Sequence, residues 1–177
     1  RYAVADPAQR FQQRFVEPNT SMLEMFGPEH VWKEVVEPNL DTYMGHIFER
    51  IVGQAYVRLA PRKGLPLLRE WSRWEGPVRG GGAAEVDVVA PLAEEGRLLT
   101  GSIKWGRRPR PVRDFFDHRT ALERIAESGH VWARRALDPS SPMIFVAAGG
   151  FAPGFEEAVR EEERQVYLWT LADLYGE

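Results

Sequence analysis

The sequence predicts an α/β domain, a mixed β-sheet flanked by helices, with an N-terminal helical arm. Three observations predict it. From residue 40 onward the patterning runs helix, three strands, helix, strand, helix, strand. The candidate strands are short, rich in Val, Leu and Ile, and bounded by Gly, Pro and acidic turns. The chain has 177 residues, 44% apolar and 28% charged, which suits one well-packed globular domain and is short for two.

Residues 1–39 are broken by Pro7, Pro18, Pro28 and Pro38. The clusters between them, "RFQQRFV", "SMLEMF" and "HVWKEVV", read as short helices joined by proline-marked turns. No internal repeat stands out. Residues 40–177 form the main domain. It opens with a helix over 40–59, in which Tyr43, Ile47, Ile51 and Ala55 recur at steps of four, Met44, Phe48 and Val52 flank them, and Asp41 stands at the cap position. "PLLREWSRWEG" reads as a first strand. Three glycines follow, and then "AEVDVVAPL" and "RLLTGSIKW" form a hairpin closed by "AEEG". "RDFFDHRTALERIAESGHVWARRAL" is helical with a break near Gly129. "SPMIFVAAGGF" is a buried strand, "APGFEEAVREEERQ" a short acidic helix, and "VYLWTLADLYGE" a strand running into a helical tail.

The formal net charge is −3, so any contact with nucleic acid must come from a local patch. The absence of cysteine excludes disulfides and thiolate metal sites and fits a cytoplasmic location. No apolar run reaches the roughly 18 residues of a membrane span. The chain begins in mid-pattern at "RYAVADPAQRF", as a piece of a longer protein would.

Chemistry concentrates at the hairpin. Side chains alternate along a strand, so Glu85 and Asp87 should share a face, as should Ser102 and Lys104. If Leu92 pairs with Arg97, Asp87 falls opposite Ser102 and Glu85 opposite Lys104, with Val86, Val88, Leu99 and Ile103 on the other face. On a solvated face Glu85 and Lys104 would be a cross-strand ion pair of roughly 0.2–1 kcal/mol. The sharper reading brings in Glu49, inside the otherwise apolar helix. Pointed at the sheet, Glu49 and Asp87 would be carboxylate ligands for a hard cation such as Mg2+. That ion can activate water for attack on a phosphate, with Lys104 steadying the developing charge. His46, one turn before Glu49, could assist.

The order of these segments resembles the PD-(D/E)XK nuclease-like domain at the C-terminus of archaeal-type AAA ATPases. Members have a "G-x-x-FE" helix (here "GHIFE"), an "E-[IV]-D-[IV]-V-A" strand (here "EVDVVA") and a "G-E-x-K-W" strand (here "GSIKW"). Trp74 and "AAGGF" match an upstream tryptophan and a late glycine segment, and "YAVADPAQRFQQRFVEPN" is similar to the segment that follows the ATPase module. The resemblance implies a restriction-endonuclease-like fold, with Glu49, Asp87 and Lys104 at the family's site positions. It also implies an N-terminal ATPase module as partner within the same polypeptide. The chain itself has no G-x-x-x-x-G-K-[ST] loop, so no nucleotide binding is expected of it.

The departure is Ser102, where the family has an acidic residue. A hydroxyl is a weak neutral ligand, so the site is degenerate, with Glu85 as a substitute ligand if geometry allows. Three readings follow: an active Mg2+-dependent nuclease, a DNA-binding domain without turnover, or a non-catalytic interaction module that self-associates through the arm. "KWGRRPRPVR" favours the second. It sets Arg107, Arg108, Arg110 and Arg113 beside Lys104, where they could hold a nucleic-acid backbone. Trp105 could stack on a base.

Overall fold

The computed structural model describes residues 6–176, except for the side chain of His46, which lies outside the described residues. The chain forms two compact units that divide between Ile47 and Phe48, within a helix.

The first unit is helical. It comprises α1 (Pro7–Phe11), a wide π turn over Gln12–Val16, α2 (Thr20–Val31), a second π turn over Trp32–Val36, and the start of α3 (Glu37–Lys63). Asp6 caps α1 by accepting the Ala8 N–H at 2.8 Å. Helical geometry in α2 is interrupted at Gly27, whose φ of 80° only glycine adopts without strain. Phe11, Phe15 and Tyr43 pack as a ring cluster, and the Tyr43 hydroxyl donates to the Pro7 carbonyl at 2.7 Å. Contrary to the sequence reading, a repeat is present. Each π turn runs into Glu-Pro-Asn, at 17–19 and again at 37–39. The asparagine amide then donates back to the carbonyl four residues earlier, Asn19 to Phe15 at 3.0 Å and Asn39 to Val35 at 2.8 Å. Proline has no N–H and crowds the preceding turn, so the helix widens there. Because α3 begins at Glu37, Asp41 lies inside the helix and is not its cap.

The second unit is the α/β domain. Strands β1 (Ser72–Pro77), β2 (Ala83–Pro91), β3 (Leu98–Lys104), β4 (Met143–Ala147) and β5 (Val166–Trp169) form one sheet in sequence order. β1–β2 and β2–β3 are antiparallel, whereas β3–β4 and β4–β5 are parallel. The parallel crossover from β3 to β4 runs through α4 (Arg113–Glu127) and α5 (Val131–Ala136), split at Gly129 with φ +95° as the sequence predicts. α6 (Phe155–Arg160) precedes β5, and α7 (Leu171–Tyr175) follows it.

One face of the sheet, with Val88, Leu99, Ile103, Ile144 and Val146, packs on Phe48, Val52, Tyr56 and Leu59 of α3. The other face, with Leu98, Met143 and Phe145, packs on Phe115, Leu122 and Ile125 of α4, Ala133 of α5 and Phe155 of α6. All five β4 residues are buried, as a parallel strand covered on both sides must be. The buried stripe of α3 is offset from the one expected: Ile51 is 36% exposed, while Val52 and Tyr56 are fully buried. Among the described residues no helix is long and apolar enough to cross a membrane.

The hairpin closes in the predicted register. The Leu92 N–H donates to the Arg97 carbonyl at 3.1 Å, and Val88 faces Gly101. The predicted alternation along β2 fails, however. Ala84, Val86 and Val89 join the α4 face, whereas Val88, Ala90 and Leu92 join the α3 face. Parity therefore switches between Val86 and Val88, where the pairing with β1 shifts by one residue, from Trp74↔Val86 to Ser72↔Val89. A β-bulge inserts one extra residue and bends the strand. Val86 and Val88 thus serve opposite faces, and the bulge sits at Asp87.

Candidate functional site

The paired register of β2 and β3 ends at Val88↔Gly101, one residue short of Asp87 and Ser102. Beyond it Asp87 takes over the pairing with its side chain. Its Oδ2 accepts the Ile103 backbone N–H at 2.7 Å and the Ser102 hydroxyl at 2.9 Å. The predicted apposition of Asp87 and Ser102 holds, through a carboxylate in place of a backbone ladder.

Ser102 is held from its other side by Arg110. The Arg110 guanidinium donates to the Ser102 hydroxyl and to the Ser102 carbonyl, both at 2.7 Å. Its Nε donates to Asp114 at 3.2 Å, and its plane lies over Phe145, 5.1 Å from the ring centroid. Arg110 is only 3% exposed. It therefore leaves the cationic surface to which the sequence assigned it. The reason lies in the backbone: Arg110 forms a bridge with Phe151, donating to the Gly150 carbonyl at 2.8 Å and accepting from the Ala152 N–H at 2.9 Å, which turns the side chain inward. Burial pulls the guanidinium pKa down, with Asp114 and then Asp87 opposing it; so basic a group stays charged.

Glu49 does face the sheet. It is half-buried on α3, and its Oε2 lies 3.9 Å from Arg73 Nη1 on β1. Burial raises its pKa, Asp87 raises it further, Arg73 lowers it, and Glu85 adds a smaller upward push. Glu85 is exposed and pairs with Arg73 at 2.6 Å, not with Lys104, because the strands have parted before that register is reached. Arg73 also meets Glu75 at 3.1 Å, so one arginine serves three carboxylates.

Lys104 is exposed and lines a cleft of ≈ 390 Å³ with Asp87, Ser102, Arg110, Asp114 and His118. Arg107 and Arg108 are exposed, and Arg113 is exposed but paired with Asp117 at 3.3 Å. Gly149 permits a close approach of the Arg107–Arg108 backbone: a Cβ at position 149 would lie 2.6 Å from the Arg108 carbonyl oxygen. Trp105 is half-buried with its ring 5.2 Å from Phe48, so it contributes to the core and is not the open base platform considered from the sequence.

The sequence reading missed Arg73, Asp114 and His118. A signal was present, since Arg110, Asp114 and His118 recur at steps of four on the approach to and along α4. His118 is buried against Phe145, and its Nε2 has no hydrogen-bond partner among the described residues.

A magnesium ion needs several free oxygen ligands. Here the Ser102 hydroxyl gives its proton to Asp87 and accepts from a guanidinium, Asp87 Oδ2 already accepts twice, and among the described residues no group of three or more His, Asp or Glu stands close enough to hold a metal ion together. These donors do not fit the cation that the resemblance implies.

A family model described as archaea bacterial proteins of unknown function, DUF234, matches residues 13–115. The chain belongs to this family. The matched stretch holds Glu49, Asp87, Ser102, Lys104 and Arg110. No curated protein matches the chain. Among solved structures, the chain is similar to the MspJI restriction endonuclease in complex with a 27-mer oligonucleotide, with a TM-score of 0.42 and 15% identity. The alignment covers 98% of this chain and 34% of the endonuclease, about a third of its length.

Proposed function

We propose that this chain is a restriction-endonuclease-like domain that binds nucleic acid along its phosphate backbone and does not hydrolyse it with a metal ion. The observation that carries this reading is the exposed run Lys104, Arg107 and Arg108, in which Lys104 lines the Asp87 cleft and the Arg107–Arg108 backbone passes close against Gly149. Exposed cations grouped along one segment recognise phosphates whatever the base sequence. The arrangement of Glu49 on a helix, Asp87 where two strands part and Lys104 on the next strand supports a nuclease-like ancestry. The resemblance adds an N-terminal ATPase module of the same polypeptide, which this domain would serve by holding nucleic acid.

The test is fluorescence anisotropy with labelled single- and double-stranded DNA across a salt series. Three phosphate contacts predict a log K against log salt slope of roughly −2.7 on duplex DNA. Each of Lys104→Ala, Arg107→Ala and Arg108→Ala should flatten the slope by about 1. Plasmid incubated with Mg2+ or Mn2+ should stay intact. Absence of binding, or binding indifferent to salt, would defeat the reading.

A second reading has its own observation. In the first unit Met25 is 72% exposed, Phe26 58% and Trp32 46%. Large apolar side chains grouped on a surface mark protein contacts. If DNA binding fails and the chain sediments as a homo-oligomer that Phe26→Ser or Trp32→Ser dissociates, an interaction module replaces the nucleic-acid reading.

A further inference from the structure

We infer that Arg110 is a resident cation: its guanidinium supplies, from within the chain, the positive charge a metal ion would bring to Asp87, and it closes the site to divalent ions. The inference rests on the reading above, that the domain is nuclease-like, and adds the device that silences it. Three observations carry it.

The first is position. Arg110 donates to Ser102 twice at 2.7 Å, and the same Ser102 hydroxyl donates to Asp87 at 2.9 Å. One hydroxyl therefore separates the guanidinium from the carboxylate that would hold the metal. The second is permanence. The side chain is 3% exposed, lies over Phe145, is paired with Asp114, and its backbone is bonded on both sides to the 150–152 segment. A charge fixed in this way cannot swing aside to admit an ion, and it repels a second cation at short range. The third is charge. At serine the guanidinium Nη2 meets a hydroxyl; a carboxylate at position 102 would meet the same nitrogen as a charge-assisted ion pair. Ser102 and Arg110 are therefore one exchange. Restoring the acid alone does not restore a metal site, because Arg110 would consume the new charge.

The experiment is calorimetric titration with Mn2+, alongside thermal unfolding with Mn2+ and with chelator. The proteins are the natural chain, Asp87→Asn, Ser102→Glu, Ser102→Glu/Arg110→Lys and Ser102→Glu/Arg110→Met. The natural chain, Ser102→Glu and the lysine double variant should show no saturable Mn2+ binding and no shift in unfolding temperature. The methionine double variant should bind one ion saturably, at least about tenfold more tightly than the weakest binding the titration of Ser102→Glu could have detected. Saturable binding by the natural chain that Asp87→Asn abolishes would overturn the inference. So would binding by Ser102→Glu as tight as by the folded methionine double variant, or a folded methionine double variant that binds nothing. If circular dichroism shows that the methionine variant does not fold, the natural chain, Ser102→Glu and the lysine variant still decide: binding by any of them overturns the inference, and silence from all three supports it. DNA affinity, measured without metal, separates this outcome from the fate of the nucleic-acid reading.

Discussion

The carboxylate of Asp87 accepts the backbone N–H of Ile103 at 2.7 Å, at the point where β2 and β3 cease to pair. An aspartate here completes the ladder, so its removal affects the fold before it affects any chemistry. Asp87→Ala leaves the Ile103 N–H and the Ser102 hydroxyl without their acceptor, a loss of about 1–3 kcal/mol. Asp87→Asn retains a carbonyl oxygen at the same place and should lose less. Urea unfolding of the three proteins decides it, and an unchanged midpoint for Asp87→Ala would show that the bond is dispensable. Asp87→Asn is accordingly the better variant for any functional assay.

The hairpin register was legible because only a four-residue turn separates Leu92 from Arg97, and two runs of β-formers admit one closure. The order of strands and helices was legible from periodicity for the same local reason. The bulge at Asp87 was not, since an extra residue is defined by the partner strand β1 and leaves no mark in β2 itself. Arg110 was misread because five cations in "KWGRRPRPVR" look alike in sequence. Only the bridge to Phe151, far along the chain, singles one out for burial. The Glu-Pro-Asn repeat was present in the letters, but it is three residues long and its meaning lies in the π turn before it.

Gly149 tests whether the cationic segment must be held in place. A Cβ there would sit 2.6 Å from the Arg108 carbonyl oxygen and 2.7 Å from the Arg107 carbonyl carbon. Both are backbone atoms that cannot rotate away, so Gly149→Ala must push the segment off its seat, at about 1–3 kcal/mol. No charge is removed, yet DNA affinity should fall and the salt slope flatten. Anisotropy against the natural chain reads it; an unaltered affinity in a destabilised protein would mean that the close approach serves folding alone.

Glu49 makes stability depend on pH in a direction opposite to most carboxylates. Burial first, and then Asp87, raise its pKa above the 4.5 of a free glutamate. The folded protein therefore holds this proton more tightly than the unfolded chain, and stability falls as pH rises through the window above 4.5. Glu49→Gln should be more thermally stable than the natural chain at pH 7, with the gap closing as pH drops to 4.5. Melting curves at the two pH values suffice. A natural chain that is the more stable at pH 7 would show that the Arg73 contact at 3.9 Å outweighs burial and repulsion.

His118 works the other way, and its effect is larger. It is buried against Phe145, and burial, then Arg110 and Arg164, lower its pKa from 6.5 to about 3. The unfolded chain takes up this proton at pH values where the folded protein refuses it, so stability is lost as pH falls from 6.5 toward 3, at up to about 1.4 kcal/mol per unit. At neutral pH the imidazole also carries an Nε2 with no partner among the described residues, a defect of roughly 1–3 kcal/mol if it stays dry. Phenylalanine keeps the ring and removes both burdens. His118→Phe should match or exceed the natural chain at pH 7.5 and exceed it by a growing margin at pH 5.5 and 4.5. Superimposable stability profiles for the two proteins would mean that the histidine does not change its protonation on unfolding, and that a water or a rearranged neighbour already satisfies it.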